Sequence, residues 1–244
     1  MTATRLAGTD PSPDNARRAG PKWLRRREGR TGPARAARLA VLTALLAVTG
    51  CGERTPGTQD DLCAVFDQHP SWYDYAEAAQ SRWGTPIPVL MAFVQFESGF
   101  RETARPPRRY LLGFIPWRWE TSAYGYAQAK DATWTDYLHA TPDAYRKRTD
   151  MEDALDFVGW YNHRSVVDLG LARDDAVSLY LAYHEGHAGY RRGDWRQDPD
   201  VRRYAARVAA RAQMYRTQLQ TCESRFQCWH WYEFGPFCDA GDAG

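Results

Sequence analysis

Ten residues from Ile87 to Phe96, IPVLMAFVQF, carry a single polar side chain and stop at Glu97-Ser98-Gly99-Phe100. Thr85-Pro86 just before the run supplies a cap and then a proline in the first turn, so the spacing predicts a helix that Gly99 ends. Glu97 then falls in its last turn. A lone carboxylic acid at the mouth of an apolar helix is a poised proton donor, because burial disfavours the charged carboxylate and keeps the proton on near neutrality.

The remaining composition is that of a globular protein, 25% charged and 43% hydrophobic, with room for one or two domains. The formal net charge of +2 conceals an asymmetry. Ten of the 32 Lys/Arg but only three of the 30 Asp/Glu lie in residues 1–50, which leaves the rest of the chain at 22 against 27, a net of −5. No basic face on the scale of a nucleic-acid binder remains, so DNA and RNA are excluded as partners.

Residues 1–50 have the pattern of an export signal: an arginine-rich stretch ending at Arg38, an apolar segment Leu39 to Val48, then Thr49-Gly50-Cys51. The apolar segment is too short to span a bilayer. Val48-Thr49-Gly50-Cys51 resembles a bacterial lipobox, which implies lipidation of Cys51 and a membrane attachment through that anchor. Gly52 stands where an aspartate would resemble an inner-membrane retention signal. The expectation is an outer-membrane lipoprotein facing the periplasm, with residues 51–59 as a short polar tether. Four cysteines remain, Cys63, Cys222, Cys228 and Cys238, an even number with no zinc-like spacing and room for two disulfides. Sequence does not rank the three connectivities; a bridge from Cys63 to the C-terminal segment closes a long loop and so constrains the unfolded chain most.

Helical signals dominate residues 60–220. Caps are expected at Ser71, Asp131, Thr141-Pro142, Asp150 with Asp153 three residues on, Asp174, and Asp198-Pro199. The last helix has the cleanest apolar stripe, Val201, Tyr204, Ala205, Val208, Ala212, Tyr215 and Leu219, which is core packing. Six or more helices and no substantial sheet result, with residues 221–244 as an irregular tail rich in cysteine and aromatics. Residues 101–122 stand apart. They hold prolines, arginines and Tyr110, Leu111, Leu112, Phe114, Ile115, Trp117 and Trp119, and form a long loop or hairpin beside the acid. It can pack into the core, wall the site by stacking sugar rings, or dip into a membrane surface.

Three segments, Glu97-Ser98-Gly99-Phe100, then Gly125-Tyr126-Ala127-Gln128, then Ala182-Tyr183-His184-Glu185-Gly186, together resemble the soluble lytic transglycosylase (SLT) family, relatives of goose-type lysozyme. The resemblance covers roughly residues 72–189. It implies a mainly α, lysozyme-like domain that cleaves the MurNAc to GlcNAc bond of peptidoglycan glycan strands without water, leaves a 1,6-anhydromuramoyl end, and uses neither metal nor organic cofactor. Glu97 matches the single catalytic acid. Ser98, Gly125, Tyr126 and Gln128 match substrate-side positions. Tyr183 matches a tyrosine whose hydroxyl reaches the acid.

Two departures stand out. The family usually has Asn-Ala after that tyrosine, whereas His184-Glu185 here put two titratable groups near the cleft. The stretch from Glu97 to Gly125 is also about ten residues longer than usual, which is where the aromatic excursion sits. His184 and His187 are three apart with a glycine between, so the segment is not a zincin helix. Hydrolysis with a second carboxylate from Glu102, Glu120, Asp131 or Glu185 is the enzymatic alternative. A lipid-anchored glycan-binding protein without catalysis is the alternative from another class. Oligomeric state is not readable.

Overall fold

The computed structural model describes residues 54–112 and 114–227, so the expectations for Cys51, Cys228, Cys238 and residues 1–50 lie outside the described residues. The described residues form seven α-helices and one hairpin: α1 Leu62–Gln68, α2 Pro70–Trp83, α3 Ile87–Ser98, β1 Arg108–Leu111, β2 Ile115–Trp119, α4 Asp131–Ala140, α5 Met151–Leu169, α6 Ala176–Arg192 and α7 Pro199–Gln227. A short 3₁₀ turn, Asp194–Gln197, joins α6 to α7. This is the mainly helical architecture that the sequence leads one to expect.

α3 is the central helix because nothing on it wants water. Ile87 through Val94 are all buried, and only its last turn approaches the surface. α5 and α7 pack against it, α2 covers α5, and α6 lies between α5 and α7. Burial of the α3 side chains, each contributing about 1.5–3 kcal/mol, outweighs the cost of two prolines near its start, Pro86 as N-cap and Pro88 in the first turn. Gly99 takes the left-handed conformation that ends the helix, as expected from sequence.

Short polar side chains cap some of the helices. The caps expected at Thr85, Ser71 and Asp131 are corrected: Pro86, His69 and Lys130 take those N-cap positions, and none makes a side-chain cap hydrogen bond. Asp150 accepts from the backbone N–H of Glu152 and Asp153, and Asp198 accepts from Asp200 and Val201. The expected cap at Asp174 belongs one residue later, to Asp175. Thr141 is a correction: it ends α4 instead of starting a helix, and its hydroxyl donates back to the Tyr137 carbonyl. Another correction concerns the tail. Residues 221–227 continue α7 as helix, with Cys222 and Phe226 buried on its inner face.

The two chain regions are joined by a disulfide, Cys63–Cys222, with a sequence separation of 159. Around it Gln218 clamps the start of α1, accepting from the Leu62 N–H and donating to the Asp60 carbonyl, both at 2.9 Å.

A buried carboxylate organises the opposite end. Asp156 on α5 accepts from Trp83 Nε1 at 2.7 Å and Tyr137 Oη at 2.6 Å, and pairs with Arg82 at 3.2 Å and Arg146 at 3.1 Å. It therefore pins α2, α4 and the loop before α5 to one another, and sequence gave no sign of it. Asp156→Ala leaves two guanidinium groups and two ring donors without their acceptor. We expect a loss of about 3 kcal/mol, read as a lower urea midpoint with an unchanged slope.

Candidate active site

Glu97 sits half-buried at the C-terminal end of α3, at one wall of a cleft of about 330 Å³. Phe93, one turn earlier, stands edge-on to two rings of α6, Tyr180 at 5.2 Å and Tyr183 at 5.5 Å between centroids. That aromatic contact sets α6 against α3. The opposite wall is supplied by the segment after the hairpin, Thr121 to Thr133, and the floor by Phe157 and Tyr161 of α5.

The carboxyl's partner is not the tyrosine that sequence led one to expect. Tyr180 Oη donates to Glu97 Oε1 at 2.8 Å, whereas Tyr183 Oη donates to the Ala127 carbonyl at 2.5 Å. Both rings lie on one face of α6, because residues three apart are helix neighbours. Tyr183 is the strut that holds the Gln128 loop against α6, and it still lines the cleft. Sequence contained the signal for Tyr180, one turn before Tyr183 on the same face.

Burial raises the Glu97 pKa to about 7; the Tyr180 hydroxyl, and more weakly His184 and Lys130, pull it the other way. Desolvation wins because the apolar end of α3 offers the carboxylate one hydrogen bond in place of several from water. The Tyr180 phenol is itself pushed far above its ordinary range by burial and the adjacent Glu97, so it remains a donor at every relevant pH. Since Tyr180 occupies Oε1, the acidic proton of Glu97 is left to Oε2.

Gln128 lines the same cleft. Its backbone has φ of +47°, unusual for a residue with a side chain. The conformation is held by its own amide, whose Nε2 donates to the carbonyls of Ala104 at 2.9 Å and Gly125 at 2.8 Å. With both N–H bonds spent inside the protein, the amide oxygen is what Gln128 can offer a sugar hydroxyl. Gly125 allows the turn to close: a Cβ there would stand 1.9 Å from the Arg148 carbonyl oxygen. Arg148 completes the clamp, donating to the carbonyls of Ser122 and Ala129 and pairing with Asp131.

Three expected substrate contacts are corrected. Ser98 is buried with its hydroxyl donating to the Val94 carbonyl, Tyr126 is fully buried with its ring edge-on to Trp72, and Gly125 is packed under Arg148. They build the walls from behind. Thr133 also lines the cleft, and so does Lys130, which sequence passed over.

His184 and Glu185 both reach the cleft, as expected, and pair with each other at 3.0 Å. The next residue, Gly186, has φ 73° and ψ 158°, a region that only glycine enters readily, and it breaks the helical path of α6 at the cleft wall. The break turns His187 away from His184. His187 lies against Tyr161, with Nε2 at 2.9 Å from Ser165 Oγ and Nδ1 at 3.3 Å from Asp168. The order Ser, His, Asp is that of a nucleophilic triad, but Ser165 is fully buried and no substrate carbonyl can reach it. This trio ties α5 to α6 beneath the floor.

A single acid raised to neutrality, a hydroxyl donor fixed on one of its oxygens, and an amide oxygen across the cleft are parts for acid chemistry on a polar, uncharged chain. The family model described as the transglycosylase SLT domain matches residues 39–222, well over half of the sequence. The chain belongs to that family. No curated protein and no solved structure matches it. As a transglycosylase SLT domain it is, at the level of the family, a peptidoglycan lytic transglycosylase with a lysozyme-like helical fold.

Proposed function

We propose that this SLT-family protein cuts the MurNAc to GlcNAc bond of peptidoglycan through Glu97 alone and leaves 1,6-anhydromuramoyl ends. The observation that carries the reading is a single carboxyl at the C-terminal end of α3, lining the cleft opposite Gln128 and held by one hydroxyl donor, an environment in which burial favours its protonated form. In the first step Glu97 Oε2 gives its proton to the bridging oxygen as the bond to the sugar C1 breaks through an oxocarbenium-like state. Tyr180 then steadies the newly formed carboxylate through Oε1. In the second step the sugar's own 6-hydroxyl attacks C1 and its proton returns to Glu97. The two steps balance with no water consumed, and the acid is regenerated.

Gln128 and Tyr183 serve the substrate side, Gln128 by accepting from a sugar hydroxyl and Tyr183 by holding the loop that carries Gln128. Export, lipidation at Cys51 and an outer-membrane position facing the periplasm belong to the same proposal and rest on the lipobox-like segment. Hydrolysis is the second reading, because Glu185 puts another carboxylate in the cleft. Its pairing with His184 argues against a free base that activates water.

Mass spectrometry of muropeptides released from purified sacculi separates the two. Products lighter by one water than the hydrolytic products are expected. Reducing ends with added water would favour the hydrolase, and no release by an intact protein would favour a binder.

The hydroxyl of Tyr180 lowers the Glu97 pKa, so its removal has a signed consequence. Tyr180→Phe raises that pKa further and moves the basic limb of the kcat/KM profile from near pH 7 to higher pH. Its maximal rate should fall, because the carboxylate of the second step has lost its donor. A limb that moves to lower pH contradicts this geometry.

A further inference from the structure

Thr121 and Ala123, which follow the hairpin, line the cavity, whereas the described hairpin side chains Leu112, Phe114, Ile115 and Trp119 do not. At the hairpin's tip Leu112 is 76% and Phe114 72% exposed, with Ile115 next to them at 41%. The other exposed large apolar side chains among the described residues, Tyr145, Val167, Val177 and Met214, stand singly. Stacking on a sugar calls for an aromatic face laid along the cleft, and neither Phe114 nor Trp119 lines it.

Charge and chain path say what the tip meets. Residues 101–122 hold five arginines against two glutamates, on a body whose net charge is −5. Behind the tip the Arg108 guanidinium lies 4.3 Å from the centre of the Trp119 ring, and Arg105 lies 3.9 Å from that of Tyr124. Apolar tip, aromatic collar and arginines in that order are the layering of an interfacial membrane anchor.

The tether leaves the domain at the same place. Gln59 Nε2 donates to the Gly99 carbonyl at 2.9 Å, two residues before the excursion begins, and Arg211 donates to the Gln59 carbonyl at 3.0 Å. Gln59 is eight residues beyond Cys51. A lipid there would keep the foot of the hairpin within about 30 Å of the bilayer.

We infer that Leu112, Phe114 and Ile115 insert into the interfacial layer of an anionic phospholipid bilayer, with Arg105 and Arg108 at headgroup level. The domain is thereby held with its cleft beside the membrane surface. This contact goes beyond the proposed reaction and needs no turnover, so its test stands or falls apart from that reading.

An environment-sensitive fluorophore is attached through Phe114→Cys in the full chain carrying Cys51→Ala, Cys228→Ala and Cys238→Ala. A second sample carries it through Tyr145→Cys. Both are bound to phosphatidylglycerol/phosphatidylethanolamine vesicles containing a nitroxide-labelled lipid. The inference expects quenching at position 114 to exceed that at 145 severalfold, to fall when Leu112→Asp is added, and to weaken in neutral phosphatidylcholine vesicles. Equal quenching at the two positions overturns it. So does a label at 114 that responds to sacculi and not to vesicles, which would assign the tip to glycan. Unchanged thermal midpoints of the labelled proteins show that the comparison is between folded molecules.

Discussion

Glu97→Gln is expected to lower kcat by on the order of 10³-fold or more while the protein still binds glycan strands, because the amide keeps the shape of the acid but has no proton to give. The same substitution should stabilise the protein at neutral and alkaline pH. The folded state holds the carboxyl at about 7, against 4.5 for a solvated glutamate. Unfolding therefore releases a strained ionisation once both forms are charged. Below about pH 4.5 the group is protonated in both states and contributes nothing. The cost grows as pH rises from there to 7 and levels off above it at roughly 3 kcal/mol. Urea melts of the two proteins should coincide at pH 4 and separate at pH 8, with the variant the more stable. Loss of turnover and gain of stability from one substitution mark a group kept for chemistry at the expense of the fold.

Removal of the Cys63–Cys222 bridge is the largest expected change in stability. A crosslink across a separation of 159 residues withdraws about 5 kcal/mol of chain entropy from the unfolded state, to be read as an upper value. The Gln218 clamp and the bond from Tyr215 Oη to the Gln59 carbonyl still hold α1 to α7 when the bridge is open. The reduced protein should therefore keep its helical circular dichroism in buffer, with a much lower urea midpoint and a steeper slope, since the uncrosslinked chain unfolds to a more expanded state. An unchanged midpoint after verified reduction would mean that the noncovalent clamp alone sets the stability of this end. Such a bridge forms and persists in an oxidising surrounding.

The acid and the helix that carries it were legible because their signal is local. An apolar run, a proline near one end and a glycine at the other define α3, and Glu97 has nowhere to be but its final turn. The cap at Asp150 and the stripe of α7 were legible for the same reason. What sequence could not supply were pairings across the fold. Tyr180 and Tyr183 are equivalent as letters, and only the packing of α6 against α3 and the Ala127 loop decides which hydroxyl meets Glu97 and which meets the Ala127 carbonyl. Ser98 follows the acid directly, yet the helical turn of about 100° per residue sends it into the core. Asp156 gathers Arg146 from one loop away, and Tyr137, Trp83 and Arg82 from up to 74 residues away, so no short window on the chain contains its role. Gly186 was visible as an interruption of a helical face, but the break in α6 that separates His184 from His187 needed the backbone.

The central claim is that Glu97 still holds its proton near neutrality, and its titration tests this without any substrate. Carboxyl infrared difference spectra, wild type minus Glu97→Gln, should follow one protonated carboxyl that ionises with a midpoint near pH 7. A midpoint near 4.5, the value of a solvated glutamate, would contradict the account.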